Sequence, residues 1–122
     1  MVKINKNTKI VILLGGESLE REISISSGEN IIKSLSSQGF NAIPFDCKGD
    51  FIKNLIKIKP DVCFNALHGL GGEDGSVQSL LEKNNIPYTH SGISSSELCM
   101  NKVISKEVFL KNNINTPKHV KH

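Results

Sequence analysis

Arginine is nearly absent. Arg21 stands alone among fifteen basic Lys and Arg side chains. The lysines are scattered, with no run and no interleaved aromatics, which argues against a dedicated nucleic-acid surface. The net charge of +3 is mild. No apolar stretch approaches bilayer-spanning length, so no membrane segment is expected. Lys9 interrupts the N-terminal region before the first apolar run, so no secretory leader is expected either. Cysteine is scarce and odd in number: Cys47, Cys63 and Cys99, with no CxxC. That speaks against zinc and against a disulfide framework, and fits a reducing cytoplasm. The common glycine fingerprints are lacking too. Gly15 and Gly16 are adjacent with no third glycine at GxGxxG spacing, and no Gly-Lys-Ser/Thr marks a P-loop.

What remains is a chain of 122 residues, enough for one domain with a single core. Lys, Asn and Ile are abundant, as AT-rich coding would give. Arg21 then stands out, because lysine cannot replace a bidentate guanidinium fork. Survival of one arginine by chance is the alternative.

The first informative stretch is Lys9 to Ser24. Ile10 to Leu14 is a short apolar run, rich in β-branched residues, and reads as a strand buried on both faces. Gly15-Gly16 permits a sharp turn. Glu17, Glu20, Arg21 and Glu22 follow, then a helical stripe of Ile23, Ile25, Ile31, Ile32 and Leu35, with Gly39 as its stop. In α/β sheets ligands bind at the carboxyl ends of strands, which is where Glu20 falls. A merely solvated loop is the alternative.

Asn41 to Asp46 reads as an edge strand, where Pro44 is tolerated. Asp50 is a candidate cap for a short helix through Phe51, Leu55 and Ile58. Val62 to Leu67 is a third buried strand and Ser76 to Lys83 a helix, with Val77, Leu80 and Leu81 inward. Pro87 to His90 suggests a short fourth strand. Ser94 or Ser95 could cap a helix through Leu98, Cys99 and Met100. A last helix runs from about Lys102 to Lys111, and Asn113 to His122 is polar. The alternation predicts an α/β fold: a three-layer α/β/α, Rossmann-like domain with a mostly parallel four-stranded sheet. If the glycine-rich turns after strands one and three serve one site, those strands adjoin and the order is near 2-1-3-4.

His68-Gly-Leu-Gly-Gly-Glu-Asp-Gly75 is the second informative stretch. Four glycines in eight residues, between a strand and a helix, offer bare backbone N–H groups to an anion or carboxylate. Glu73 and Asp74 complicate that, and can instead serve the following helix. His68 is a candidate ligand-facing donor; a structural role is the usual fate of a lone histidine.

Together the two loops resemble the N-terminal domain of the D-alanine–D-alanine ligase family, which has the ATP-grasp architecture. The matching pieces are Leu13 to Ser24, Ala66 to Gly75, Ile86 to Thr89, Ser91-Gly92 and Met100-Asn101-Lys102. The resemblance implies a reaction that joins two D-alanines for peptidoglycan, using ATP and Mg2+ (or Mn2+). It implies that Glu20 holds the ammonium of the first D-alanine and Ile23 packs near its methyl group. His68 would approach its carboxylate or acyl phosphate, with Gly69 letting the backbone lie close. Lys102 would meet ATP phosphates. The family often has Asp where Asn101 stands. A homodimer through this domain is a further expectation.

The family's chains are much longer. Residues 1–115 are therefore expected to be an N-terminal, pre-ATP-grasp, substrate-binding domain, and 116–122 the start of a connector to an ATP-grasp part. No metal ligands are expected within this chain, nor tight ATP or magnesium binding or turnover by it alone. Two other classes compete: a stand-alone small-molecule-binding module and a flavodoxin-like regulatory domain. The latter lacks a convincing phospho-acceptor aspartate at the end of the third strand.

Overall fold

The first apolar run forms a strand that is buried along both faces. In the computed structural model, which describes residues 3–118, β1 (Lys9–Leu14) lies at the centre of a three-stranded parallel sheet. Its neighbours are β2 (Asn41–Asp46) and β3 (Val62–Asn65), in the order β2-β1-β3. Alternate residues of β1 feed two cores, as the two-residue repeat of a strand requires. Ile10 and Ile12 pack with Val62, Ala66 and the α1 residues Ile31, Ile32 and Leu35, α1 being the helix Arg21–Ser37. Val11 and Leu13 pack on the opposite face, against Leu55 of α2 (Ile52–Ile58) and Val77 and Leu81 of α3 (Ser76–Lys83). Helices thus cover both faces of the sheet. Two further helices follow, α4 (Ile93–Met100) and α5 (Lys102–Lys111).

The 2-1-3 order agrees with the sequence reading, and Pro44 sits on the edge strand opposite Ile12. The expected fourth strand is absent among the described residues. Only an isolated bridge joins Cys63 to Tyr88. Its hydrogen bonds run from Cys63 N to Pro87 O (2.8 Å) and from Thr89 N to Cys63 O (3.0 Å). His90 then turns at φ 78°, which takes the chain out of the extended region before a ladder can form. The sheet is three-stranded, not four-stranded.

Helix boundaries show smaller differences. Asp50 does not cap α2; Phe51 occupies the cap position without a side-chain bond. Helix α4 begins at Ile93 behind Gly92, ahead of both serines proposed as its cap. Asn101 caps α5, its side-chain oxygen accepting from Val103 N and Ile104 N, both at 3.1 Å. An acceptor oxygen is what that position needs, and Asn supplies it as Asp would. Helix α1 ends as expected near Gly39 (φ 79°): Gly39 N donates to Ser36 O and Phe40 N to Leu35 O, the two bonds of a Schellman motif.

The inward face of α1 carries Ile31, Ile32 and Leu35 of the expected apolar stripe, and small residues besides. Ser24 and Gly28 are its buried residues, whereas Ile23 is 59% exposed. Small residues bring the helix close to β1: a methyl group on Gly28 would stand 2.7 Å from Leu14 Cδ2. Counting only large apolar residues missed these two small ones and included the outward Ile23. No described helix is long and apolar enough to cross a membrane. Of the connector expected over 116–122, residues 119–122 lie outside the described chain.

Candidate functional site

Both glycine-containing loops leave the sheet at the carboxyl ends of adjacent strands, β1 and β3. Between them lies a cavity of about 670 Å³, lined by Glu17, Ser18, Glu20, His68 and Gly69 among others. A second cavity of about 490 Å³ lies beside it, and His68 borders both.

Serines stitch the loops together. Ser24, fully buried on α1, accepts from Gly15 N (3.0 Å) and donates to Ala66 O (2.7 Å). Ser18 donates to His68 O (2.7 Å) and accepts from Glu20 N (3.1 Å). Each bond satisfies a loop backbone group that the strand ladders cannot reach.

Arg21 fixes the first loop from the other side. Its Nη1 donates to Asp46 Oδ1 (2.8 Å) and Gly16 O (2.9 Å), and its Nη2 donates to Asp46 Oδ2 (2.6 Å). This is the bidentate use that singled out the only arginine. Hydrogen bonding from Arg21 holds the Asp46 carboxyl below its ordinary value. Sequence reasoning missed Asp46. The available signal was its place at the carboxyl end of β2, beside β1.

The second loop is folded by its own acids. Glu73 Oε2 accepts from Gly69 N (2.8 Å), Asp74 Oδ2 from Gly71 N (2.9 Å) and Asp74 Oδ1 from Ser76 N (3.0 Å). Burial pushes Asp74 up, but the bonds from Gly71 and Ser76 outweigh it and the carboxyl is held low. Asn65 Nδ2 (2.8 Å) and Gln78 Nε2 (3.1 Å) both donate to Gly72 O from behind. Glu73 and Asp74 therefore occupy some of the N–H groups that the sequence had offered to an anion.

Glu20 and His68 are brought together. Glu20 stands at the N-cap position of α1 but makes no side-chain cap bond, so capping is not its role. Its Oε2 would lie 3.2 Å from a methyl group placed on Gly69, which is held at φ 72°. Glu20, His68 and Glu73 each bring a ligand atom within 4.8 Å of the others. That nitrogen-containing set does not suit magnesium, which takes oxygen ligands, and carboxylates of this exposure often cluster without a metal. Ile23 is exposed one turn into α1 and borders neither cavity. Lys102 is exposed at the start of α5 and also borders neither. The structure does not bring these two into the Glu20–His68 group.

Comparison with known proteins bears on the family and the fold. Residues 50–91 match the family model described as the D-ala D-ala ligase N-terminus. The D-alanine–D-alanine ligase of Pelagibacter ubique is 49% identical over 113 residues, covering 93% of this chain and 37% of that protein. The Francisella tularensis subsp. novicida ligase is 47% identical, with 92% and 38% covered. Among solved structures, the Bacillus anthracis D-alanine–D-alanine ligase complexed with ATP superposes with a TM-score of 0.77 at 36% identity. That match covers 91% of this chain and 37% of that one. The chain thus spans just over a third of the length of the curated relatives it matches. On sequence and fold together, this chain belongs to the D-alanine–D-alanine ligase family, as a match to its N-terminal region.

Proposed function

We propose that the chain forms one wall of the first D-alanine site of an ATP-dependent D-alanine–D-alanine ligase acting in cytoplasmic peptidoglycan synthesis. The observation that carries the reading is the meeting of Glu20 and His68, from different loops, at the edge of one cavity. Glu20 provides a carboxylate for the substrate ammonium, a charge-assisted contact. His68 and the backbone around Gly69 face the substrate carboxylate, which becomes an acyl phosphate before the second D-alanine attacks. Ile23 offers an exposed apolar surface for the substrate methyl group. Lys102 is assigned to the ATP phosphates. The magnesium ligands and most ATP contacts belong to residues outside this chain, so the chain alone is inactive. Its role here is positioning and charge stabilisation rather than nucleophilic attack. Residues 1–115 constitute the substrate-binding domain, and pairing of two copies through it is part of the same reading.

A chimera tests this. Residues 1–115 are joined to the remainder of the Pelagibacter ubique ligase, and D-alanine-dependent phosphate release is measured. Restored ligation is expected. Glu20→Gln should then raise the Michaelis constant for the first D-alanine ten- to a hundredfold, about 1.5–3 kcal/mol, with ATP binding little changed. His68→Gln should combine with it non-additively, because groups sharing one ligand couple. A folded, ATP-binding chimera that ignores D-alanine overturns the reading.

A further inference from the structure

The His68 ring lies between two partners of different character. Its Nε2 is 3.1 Å from Ser27 Oγ, and its Nδ1 is 3.9 Å from Glu73 Oε1. A neutral imidazole has one N–H donor and one acceptor nitrogen, and an ionised carboxylate only accepts. With the proton on Nε2, the Nδ1 lone pair would face the Glu73 oxygen and be repelled. With the proton on Nδ1, the ring's positive edge faces Glu73 and Nε2 becomes an acceptor. Ser27 Oγ is then the donor Nε2 requires. The hydrogen bond made by one ring nitrogen sets which nitrogen carries the proton.

Ser27 reaches this position through the helix repeat. Glu20, Ser24 and Ser27 fall at i, i+4 and i+7, one face of α1. Glu20 enters the site, Ser24 ties the strand ends, and Ser27 reaches the ring. The serine's remaining option, bonding back to a carbonyl of its own helix, would leave Nε2 without this donor.

We propose that Ser27 is a positioning residue that donates its hydroxyl hydrogen to His68 Nε2 and so locks the ring as the Nδ1–H tautomer, with its donor turned toward Glu73. Glu20 and Glu73 are the two titratable groups clustered with the ring, and Glu73 is the one at its Nδ1. The donor is thereby presented where a ligand carboxylate would arrive, a consequence that rests on the D-alanine reading. Ser27 itself acts through the ring.

The test reads the tautomer directly, without substrate. The chain is labelled with 15N-histidine, and long-range 1H–15N correlation spectra are recorded at a pH where the rings are neutral. His68→Gln assigns the signals. In the wild type, His68 should show a protonated Nδ1 and an unprotonated Nε2 as its predominant form. Ser27→Thr keeps the hydroxyl and should keep the pattern. Ser27→Ala should lose the single form in favour of a mixture containing Nε2–H. A wild-type ring found mainly as Nε2–H overturns the proposal, whether or not Ser27→Ala folds. So does a folded Ser27→Ala chain with an unchanged spectrum. D-alanine is absent throughout, so either result leaves the substrate reading to the chimera. A chimera blind to D-alanine would in turn leave the tautomer standing.

Discussion

Arg21 holds Asp46 in a two-pronged grip, 2.8 Å at one oxygen and 2.6 Å at the other, and one of the same nitrogens also holds Gly16 O. The grip joins the amino end of α1 to the carboxyl end of β2 across the turn that leaves β1. Lysine has a single ammonium and cannot make all three contacts in one plane.

Acid should therefore loosen the first loop. The Asp46 carboxyl has an ordinary value of 3.8 and is held lower in the fold, chiefly by the hydrogen bond from Arg21. The unfolded state then binds more protons between the two values, so stability rises with pH there. The contribution is complete above about 3.8 and fades as pH falls through the lower, folded value. Asp74, also held low, acts in the same direction. Urea midpoints of wild type and Asp46→Asn, measured from pH 7 down to pH 3, should converge at the acid end. Parallel curves would contradict this.

Ser24→Ala removes one hydroxyl from two buried partners, Gly15 N and Ala66 O. Each is left without its bond in a site closed to water. The expected cost is about 2 kcal/mol, within the range for stranded buried polar groups. Equilibrium urea unfolding measures it, and a loss below about 0.5 kcal/mol, an ordinary surface effect, would show that the two groups find other partners.

Gly28→Ala sets two effects against each other. Alanine favours a helix interior over glycine by up to about 1 kcal/mol. The new methyl group would meet Leu14 at 2.7 and 2.8 Å, and overpacking costs about 1–3 kcal/mol. The clash involves Leu14 Cβ as well as the tip of the side chain, so it is not relieved by a rotamer change alone. Net destabilisation is expected, seen as a lower melting temperature. A more stable variant would mean that α1 can move away from β1.

Thiol labelling should distinguish the three cysteines. Cys99 is exposed, whereas Cys47 and Cys63 are buried. Burial pushes both buried thiols up, Cys63 to about 12, so little reactive thiolate forms at neutral pH. An alkylating reagent should modify one thiol in the folded chain and all three in denaturant. Rapid labelling of Cys63 under native conditions would show that the core it shares with Val11 and Leu13 opens.

Much of this fold was legible because its elements carry strong local signals. The bounds expected for β2, α3 and α5 agree with those found, and all three are flanked by clear turn or cap residues. The fourth strand failed because Pro87 to His90 has strand-like composition, but the positive φ at His90 is not written in composition. Glu20 and His68 were each readable as residues at the carboxyl end of a strand; their grouping with Gly69 came from the resemblance, and the strands they follow are adjacent. Asp46 and Ser27 were not, because each acts through a long-range bond to a residue 25 or 41 positions away. Lys102 and Ile23 came from resemblance alone, and the structure leaves both away from the cavities.

The serine stitches between the two loops bear on the thermodynamics of binding. A loop ordered only by its ligand loses conformational entropy at the moment of capture, and affinity falls accordingly. Here Ser18 and Ser24 order both loops against each other without any ligand. That entropy is lost on folding instead. A small zwitterion with few atoms to offer then meets a surface already set, and the heat capacity change of its capture by this wall should be small.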